Sequence, residues 1–192
     1  MTAPSVRRIT VLLAAAVLAA FAGSVSAQPA LTESLLKGFT FRALGPYRAG
    51  SWVTSFAVPD SPVRDHLYTL YVGTRNGGVW KTTNNGVTFE PAFDAQPKLS
   101  IGAIALAPSN PRIVWVGTGE AYCARSSSSG DGIYKSIDAG KTWTNMGLRD
   151  SHHIARLAVH PKNPDVVYVA AMGRLFSTNA ERGVFKTTDG GK

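Results

Sequence analysis

Residues 136–143 read SIDAGKTW, and an Asp in a short loop can serve as an acid or base. Asp138 is therefore the first residue to weigh for chemistry. A second carboxylate, Glu120, opens the segment GEAYCARSSSSGDG (119–132), where it can act as acid, base or sugar hydrogen-bond acceptor. His152 and His153 can shuttle protons. Arg48, Arg75, Arg125 and Arg174 carry planar guanidinium forks that suit a carboxylate or phosphate. Cys123 is the one cysteine, so no disulfide forms within the chain, and its surroundings show no nucleophile signature. Adjacent histidines on strand spacing point to opposite faces, so no metal site is expected, nor any cofactor.

The elements that must position these residues follow from a repeat. GVWKTTNNGVTF (78–89), GIYKSIDAGKTW (132–143) and GVFKTTDGGK (183–192) begin 54 and 51 residues apart. Upstream of each lies a second shared pattern: SFAVPDSPVRDHLYTLYVGT (55–74), AIALAPSNPRIVWVGT (103–118) and RLAVHPKNPDVVYVAA (156–171). Each is an alternating apolar strand, a polar Pro-containing turn, and a strand rich in Val, Ile, Tyr and Trp. One unit thus supplies four short antiparallel strands in about 50 residues, the period of a β-propeller blade. The expected fold is all-β: antiparallel four-stranded blades at 51–95 and 100–148 and a third, truncated blade at 153–192, with 28–50 as a lead-in. Three blades do not close a ring, and an open arc leaves sheet edges exposed. The chain is accordingly expected to be the N-terminal part of a longer protein, whose remaining blades are its first partner.

The repeat also bears on Asp138. The turn pattern is Ser/Thr-x-Asp-x-Gly-x-Thr-Trp: Ser136, Asp138, Gly140, Thr142 and Trp143, echoed by Thr187, Asp189 and Gly191. In the first copy the residues are Thr82, Asn84, Gly86, Thr88 and Phe89. Asn keeps the oxygen acceptor and loses the charge, a change that a turn tolerates and a catalytic acid does not. The Asp is expected to accept backbone N–H bonds two or three residues on. The Gly supplies a backbone angle that other residues resist. The aromatic is expected to drop between sheets.

The N-terminus has a different character. Arg7 and Arg8 precede the apolar run ITVLLAAAVLAAFAG and then SVSA, the layout of a secretory signal peptide over 1–27. The run is short of the roughly 20 residues that a membrane span needs, so membrane contact is expected only during export, to the periplasm or beyond. The leader holds two of the 20 Lys and Arg, leaving 18 against 12 Asp and Glu. These charges are scattered, with no basic stripe interleaved with aromatics, which argues against nucleic acid.

SIDAGKTW, TTNNGVTF, TTDGGK and the surrounding FRALGPYRAG, IGAIALAPSNP, WVGTGEA and HHIARLAVHPKNPDVVYVAAMG resemble the Asp-box (bacterial neuraminidase repeat) propellers, in particular secreted bacterial sortilin-like or glycosyl-hydrolase-type repeat proteins. The resemblance implies that the boxes lie between the third and fourth strands, opposite the ligand face. Ligands are then expected on the loops before each inner strand and between the second and third strands, which hold Arg48, Arg75, Glu120, Arg125, His152, His153 and Arg174. Xyloglucanase-type members carry a catalytic Asp in a Thr-Asp-Val-Gly-Gly segment. The matching stretch here is TRNGGVWK (74–81), where Arg75 replaces the Asp and Asn76 cannot act as a base. The sialidase pattern is matched poorly, because Ala-Gly follows Arg48. The first expectation is thus a noncatalytic, sortilin-like propeller binding a peptide, protein or glycan. The alternative is a glycoside hydrolase whose catalytic carboxylates lie largely in other blades. A scaffold or assembly module is a third.

Overall fold

The computed structural model describes Lys37 and residues 52–60, 64–122, 124 and 126–192. The chain divides into two compact units, Met1–Arg42 and Ala43–Lys192, and the sheets belong to the second. Apart from Lys37, the expected leader and lead-in lie outside the described residues, as do Arg48, Cys123 and Arg125.

Eleven strands form three antiparallel sheets among the described residues. Sheet 1 runs in order through β1 (Val53–Ala57), β2 (Leu70–Thr74), β3 (Val79–Thr82) and β4 (Glu90–Pro91). Sheet 2 repeats the plan with β5 (Ile101–Ala107), β6 (Asn110–Thr118), β7 (Ile133–Ser136) and β8 (Thr144–Asn145). Sheet 3 has three strands, β9 (Ile154–Val159), β10 (Val167–Ala171) and β11 (Gly183–Thr187). Cross-strand register places Tyr71, Trp115 and Tyr168 at one position of the second strand, opposite Lys81, Lys135 and Lys186 of the third.

Apolar side chains are buried between sheets. Tyr71, Val79, Phe93, Ile101, Ile104 and Tyr134 form one cluster across sheets 1 and 2. Trp115, Ile133, Ile154, Val167 and Val169 form its counterpart across sheets 2 and 3. Each large side chain buried this way contributes about 1.5–3 kcal/mol. The inner strands β1, β5 and β9 lie side by side. Thr54 Oγ1 donates to the Ile101 carbonyl at 2.7 Å, and the Ile104 N–H donates to Ser55 Oγ at 3.0 Å. A Cβ at Gly102 would fall on the carbonyls of Ile154 and Gly119, so only glycine allows β5 this close to β9.

The SIDAGKTW turn joins β7 to β8 and reaches back to the preceding sheet. Asp138 Oδ1 accepts the N–H groups of Lys141 at 3.0 Å and Thr142 at 2.9 Å, and Oδ2 accepts the Thr142 hydroxyl at 2.6 Å. The bonds thus run three and four residues on, rather than two and three, because Ser136 Oγ already accepts the N–H groups of Asp138 and Gly140. Gly140 takes the positive φ of 85° that closes the loop. Asn84 holds the first turn with the same acceptor, taking the Thr88 N–H at 2.9 Å, and donates to the Thr88 hydroxyl at 2.8 Å.

Across the gap, the Ala139 carbonyl accepts Tyr71 Oη at 3.0 Å and Lys81 Nζ at 2.9 Å. Burial, with the Asp138 charge adding to it, pushes the Tyr71 hydroxyl up to about 12. Trp143 Nε1 donates to the Ala92 carbonyl at 2.6 Å, and its ring meets Phe93 edge-on with centroids 5.0 Å apart. Trp143 thus drops between sheets as expected. Phe89, its counterpart, does not: it is 37% exposed, because no described sheet precedes sheet 1. Between sheets 2 and 3, a cavity of about 370 Å³ lies against Trp115, Met146 and Gly191, the counterparts of the Tyr71, Ala92 and Gly140 around Trp143.

Hydrogen bonds from the Thr142 hydroxyl and N–H hold the Asp138 carboxyl well below the usual carboxylate range. A depressed folded-state pKa stabilises fully above the unfolded value of about 4, and this contribution is lost as pH falls below it. Asp138→Asn should therefore leave stability nearly unchanged at pH 7 and flatten its fall below pH 4. Asp138→Ala should lower stability by about 1–2 kcal/mol at pH 7, measured by denaturant unfolding.

Candidate functional site

The end of the sheets opposite these turns carries the β2–β3, β6–β7 and β10–β11 loops, and three of the sequence-derived candidates meet there. Arg75 follows β2, Glu120 follows β6, and His153 precedes β9. Arg75 Nε lies 2.7 Å from Glu120 Oε2, with the arginine side chain 15% exposed and the glutamate fully buried. Its Nε–H is not aligned as a hydrogen bond, so the contact is an ion pair in character. Glu120 Oε1 has no partner among the described residues.

Backbone geometry fixes this pair. The Arg75 N–H donates to the Trp52 carbonyl at 2.9 Å, and its guanidinium sits 4.9 Å from the Trp52 ring. Arg75 Nη2 also donates to the Ser126 carbonyl at 3.0 Å, tying the long loop to sheet 1. The Glu120 N–H donates to the Ser128 carbonyl at 3.0 Å, and the Ser100 hydroxyl donates to that carbonyl at 3.1 Å. The Glu120 carbonyl faces His153 Nδ1 at 2.8 Å. A carbonyl can only accept, so Nδ1 carries the proton there. Burial pushes the His153 imidazole below its ordinary value.

The paired histidines depart from the expected strand alternation. Both precede β9, following a 3-10 turn at Arg149–Ser151, and His152 has a left-handed φ of 55°. The break in the strand leaves the rings 6.4 Å apart and tilted by 32°, so they do not face opposite ways across a sheet. His152 Nε2 accepts Arg174 Nε at 3.2 Å, which joins that arginine to the same end of the molecule. Arg182 was not singled out from the sequence. It donates to the carbonyls of Met172 and Arg174, both at 2.8 Å, and shapes the β10–β11 loop.

The cluster positions chemistry more than it offers it to solvent. Glu120 is sealed beneath Arg75, whereas Trp52 and Tyr122 on either side are 59% and 57% exposed. Beside Tyr122, a groove of about 520 Å³ runs over the inner strands, lined by Thr54, Phe56, Ala103, Arg156 and Leu157. It offers aromatic faces, a guanidinium and backbone edges, the equipment for holding an extended polar ligand.

No family model matches the chain. It is 36% identical over 143 residues to an oligoxyloglucan reducing end-specific xyloglucanase of Emericella nidulans, a match covering 71% of this chain and 17% of that protein. Its fold is similar to that of the GH74 xyloglucanase from Xanthomonas campestris (TM-score 0.52, 17% identity, 72% of this chain and 22% of that one). It is similar too to an ancestral GH74 enzyme (TM-score 0.52, 21% identity, 72% of this chain and 17% of that one). The chain thus spans about a fifth or less of the length of the proteins it matches. The three sheets are blades of a β-propeller.

Arg75→Met leaves the Glu120 carboxylate buried without its counterion, and should cost about 3 kcal/mol in denaturant unfolding. Arg75→Met combined with Glu120→Leu should recover more than half of that loss. Equal instability of the single and double variants would show that the pair is not coupled.

Proposed function

We propose that the chain belongs to an exported propeller of the glycoside-hydrolase type that takes a glucan of the xyloglucan class across its loop end. The observation that carries this reading is the 36% identity over 143 residues to a xyloglucanase. The three Ser/Thr-x-Asp/Asn-x-Gly turns are read as Asp boxes: structural markers at the far end of the blades, with no part in catalysis. Export follows from the leader over residues 1–27.

In this reading the described loops build the wall of the substrate site. Trp52 and Tyr122 present rings to sugar faces, and Arg174, with Arg48 and Arg125, offers donors to hydroxyls. Arg75, Glu120 and His153 hold the loops in place. Arg75 stands where the resemblance implies a catalytic Asp, and it neutralises Glu120. The two carboxylates that glycoside hydrolysis requires are therefore assigned to the remaining blades.

The same neutralised carboxylate favours a second reading, a sortilin-like propeller that binds a peptide or protein without turnover. Calorimetric titration of the protein with xyloglucan oligosaccharides and with an unrelated peptide library separates the two. The first reading expects oligosaccharide binding that weakens about tenfold in Tyr122→Ala, consistent with the loss of one stacked ring. Peptide binding with no oligosaccharide response would favour the second. Glycoside turnover abolished by Glu120→Gln, with the fold intact, would return Glu120 to the catalytic machinery and contradict both.

A further inference from the structure

The loop between the second and third strands is closed by a threonine at the same position in sheets 1 and 2. In sheet 1 the Thr74 hydroxyl accepts the Gly77 N–H at 2.9 Å and donates to the Gly78 carbonyl at 2.9 Å. In sheet 2 the Thr118 hydroxyl accepts the Asp131 N–H at 2.9 Å and donates to the Gly132 carbonyl at 2.7 Å. Two residues, Arg75 and Asn76, lie inside the first closure, and twelve, 119–130, lie inside the second. A blade therefore closes without the added length in sheet 2. Extra loop length carried on a rigid scaffold is where binding residues concentrate.

The base of this insertion is fixed to its surroundings. The Gly119 N–H donates to the Ser100 carbonyl at 2.7 Å, and the Gly130 N–H donates to the His152 carbonyl at 2.7 Å. The far part is held by one side chain. The Ser127 hydroxyl accepts the Ala124 N–H at 2.9 Å, and its own hydrogen faces the carbonyls of Ala124 at 3.0 Å and Tyr122 at 3.1 Å. A hydroxyl both accepts and donates, so a single oxygen turns the chain back on itself here. Among the described residues, no other side chain hydrogen-bonds the backbone of Tyr122 or Ala124. Tyr122 leaves this turn 57% exposed, at the edge of the groove over the inner strands.

We propose that Ser127 is a positioning residue, whose hydroxyl presents Tyr122 to a saccharide lying along that groove. This role rests on the glucan reading of the loop end. A ring already fixed beside the groove loses little freedom when a sugar stacks on it. A ring on an open turn must first be ordered, at the expense of affinity. Ser127 thus acts on the ligand through Tyr122 and makes no contact of its own.

The test is calorimetric titration of the full 192-residue chain with a xyloglucan oligosaccharide, with hydrogen exchange of the Ala124 amide followed by NMR on the same samples. Ser127→Ala should weaken binding about tenfold, as Tyr122→Ala does, because each loses the stacked ring. The two changes combined should bind no more weakly than Tyr122→Ala alone, since the serine acts through the ring. The Ala124 amide should exchange faster in Ser127→Ala, while denaturant unfolding stays that of the unaltered chain. Binding that Ser127→Ala leaves unchanged, losses that add in the double variant, or an Ala124 amide that exchanges at its former rate would overturn the proposal. So would a loss of global stability in Ser127→Ala, which would make the serine a structural residue. An unaltered chain that binds no oligosaccharide would overturn the glucan reading itself, and this role with it.

Discussion

The structure depends on one contact between neighbouring sheets: the carbonyl of a tight turn seated on a lysine and an aromatic ring of the sheet before it. A four-stranded sheet cannot bury both faces by itself, so each blade depends on its neighbour for its core. The turn solves this locally. Its Asp or Asn absorbs the loop N–H groups, which leaves the Ala139 carbonyl free to point outward at Tyr71 and Lys81. Trp143 then fills the gap beside Phe93. The charged lysine is tolerated at a buried contact because both the ring face and the carbonyl satisfy it.

This contact also divides the molecule into two ends with different work. Turn residues at one end are consumed by holding backbone, which is why a carboxylate as conspicuous as Asp138 has no free oxygen for chemistry. Loops at the other end are longer and irregular, and a rigid sheet stack carries them. There the Arg75–Glu120 pair links the loop after β2 to the loop after β6, and His153 links the latter to the entry of β9. Three successive blades thus converge on Glu120, the first at its carboxylate and the third at its backbone carbonyl.

Much of the fold was legible in the sequence because a repeat supplies its own comparison. TTNNGVTF beside SIDAGKTW showed that the Asp charge is dispensable, and four strands per unit followed from alternation and turn residues. The site was legible only as a set of loops. Arg75 and Glu120 are 45 residues apart in different repeats, and no local pattern indicates that they pair. The burial of Glu120 was equally hidden, since a polar Ser-rich loop reads as solvated until its backbone is found folded back on Glu120, with the Ser128 N–H directed at the carboxylate. The histidines were misplaced by assuming strand alternation, which the left-handed backbone at His152 breaks. Phe89 was misplaced because a repeat predicts a residue's face, and burial depends on which neighbour covers that face.

The central claim is that turn-to-sheet docking makes adjacent blades fold as one unit. Native-state hydrogen exchange on the chain and on Trp143→Ala tests it most directly. The account predicts that amides of β2, β3, β6 and β7 exchange with a common free energy in the unaltered chain. In the variant, those of β2 and β3 should open at a lower free energy than those of β6 and β7. Separate opening energies for the two sheets in the unaltered chain, or a variant that weakens only its own sheet, would contradict it.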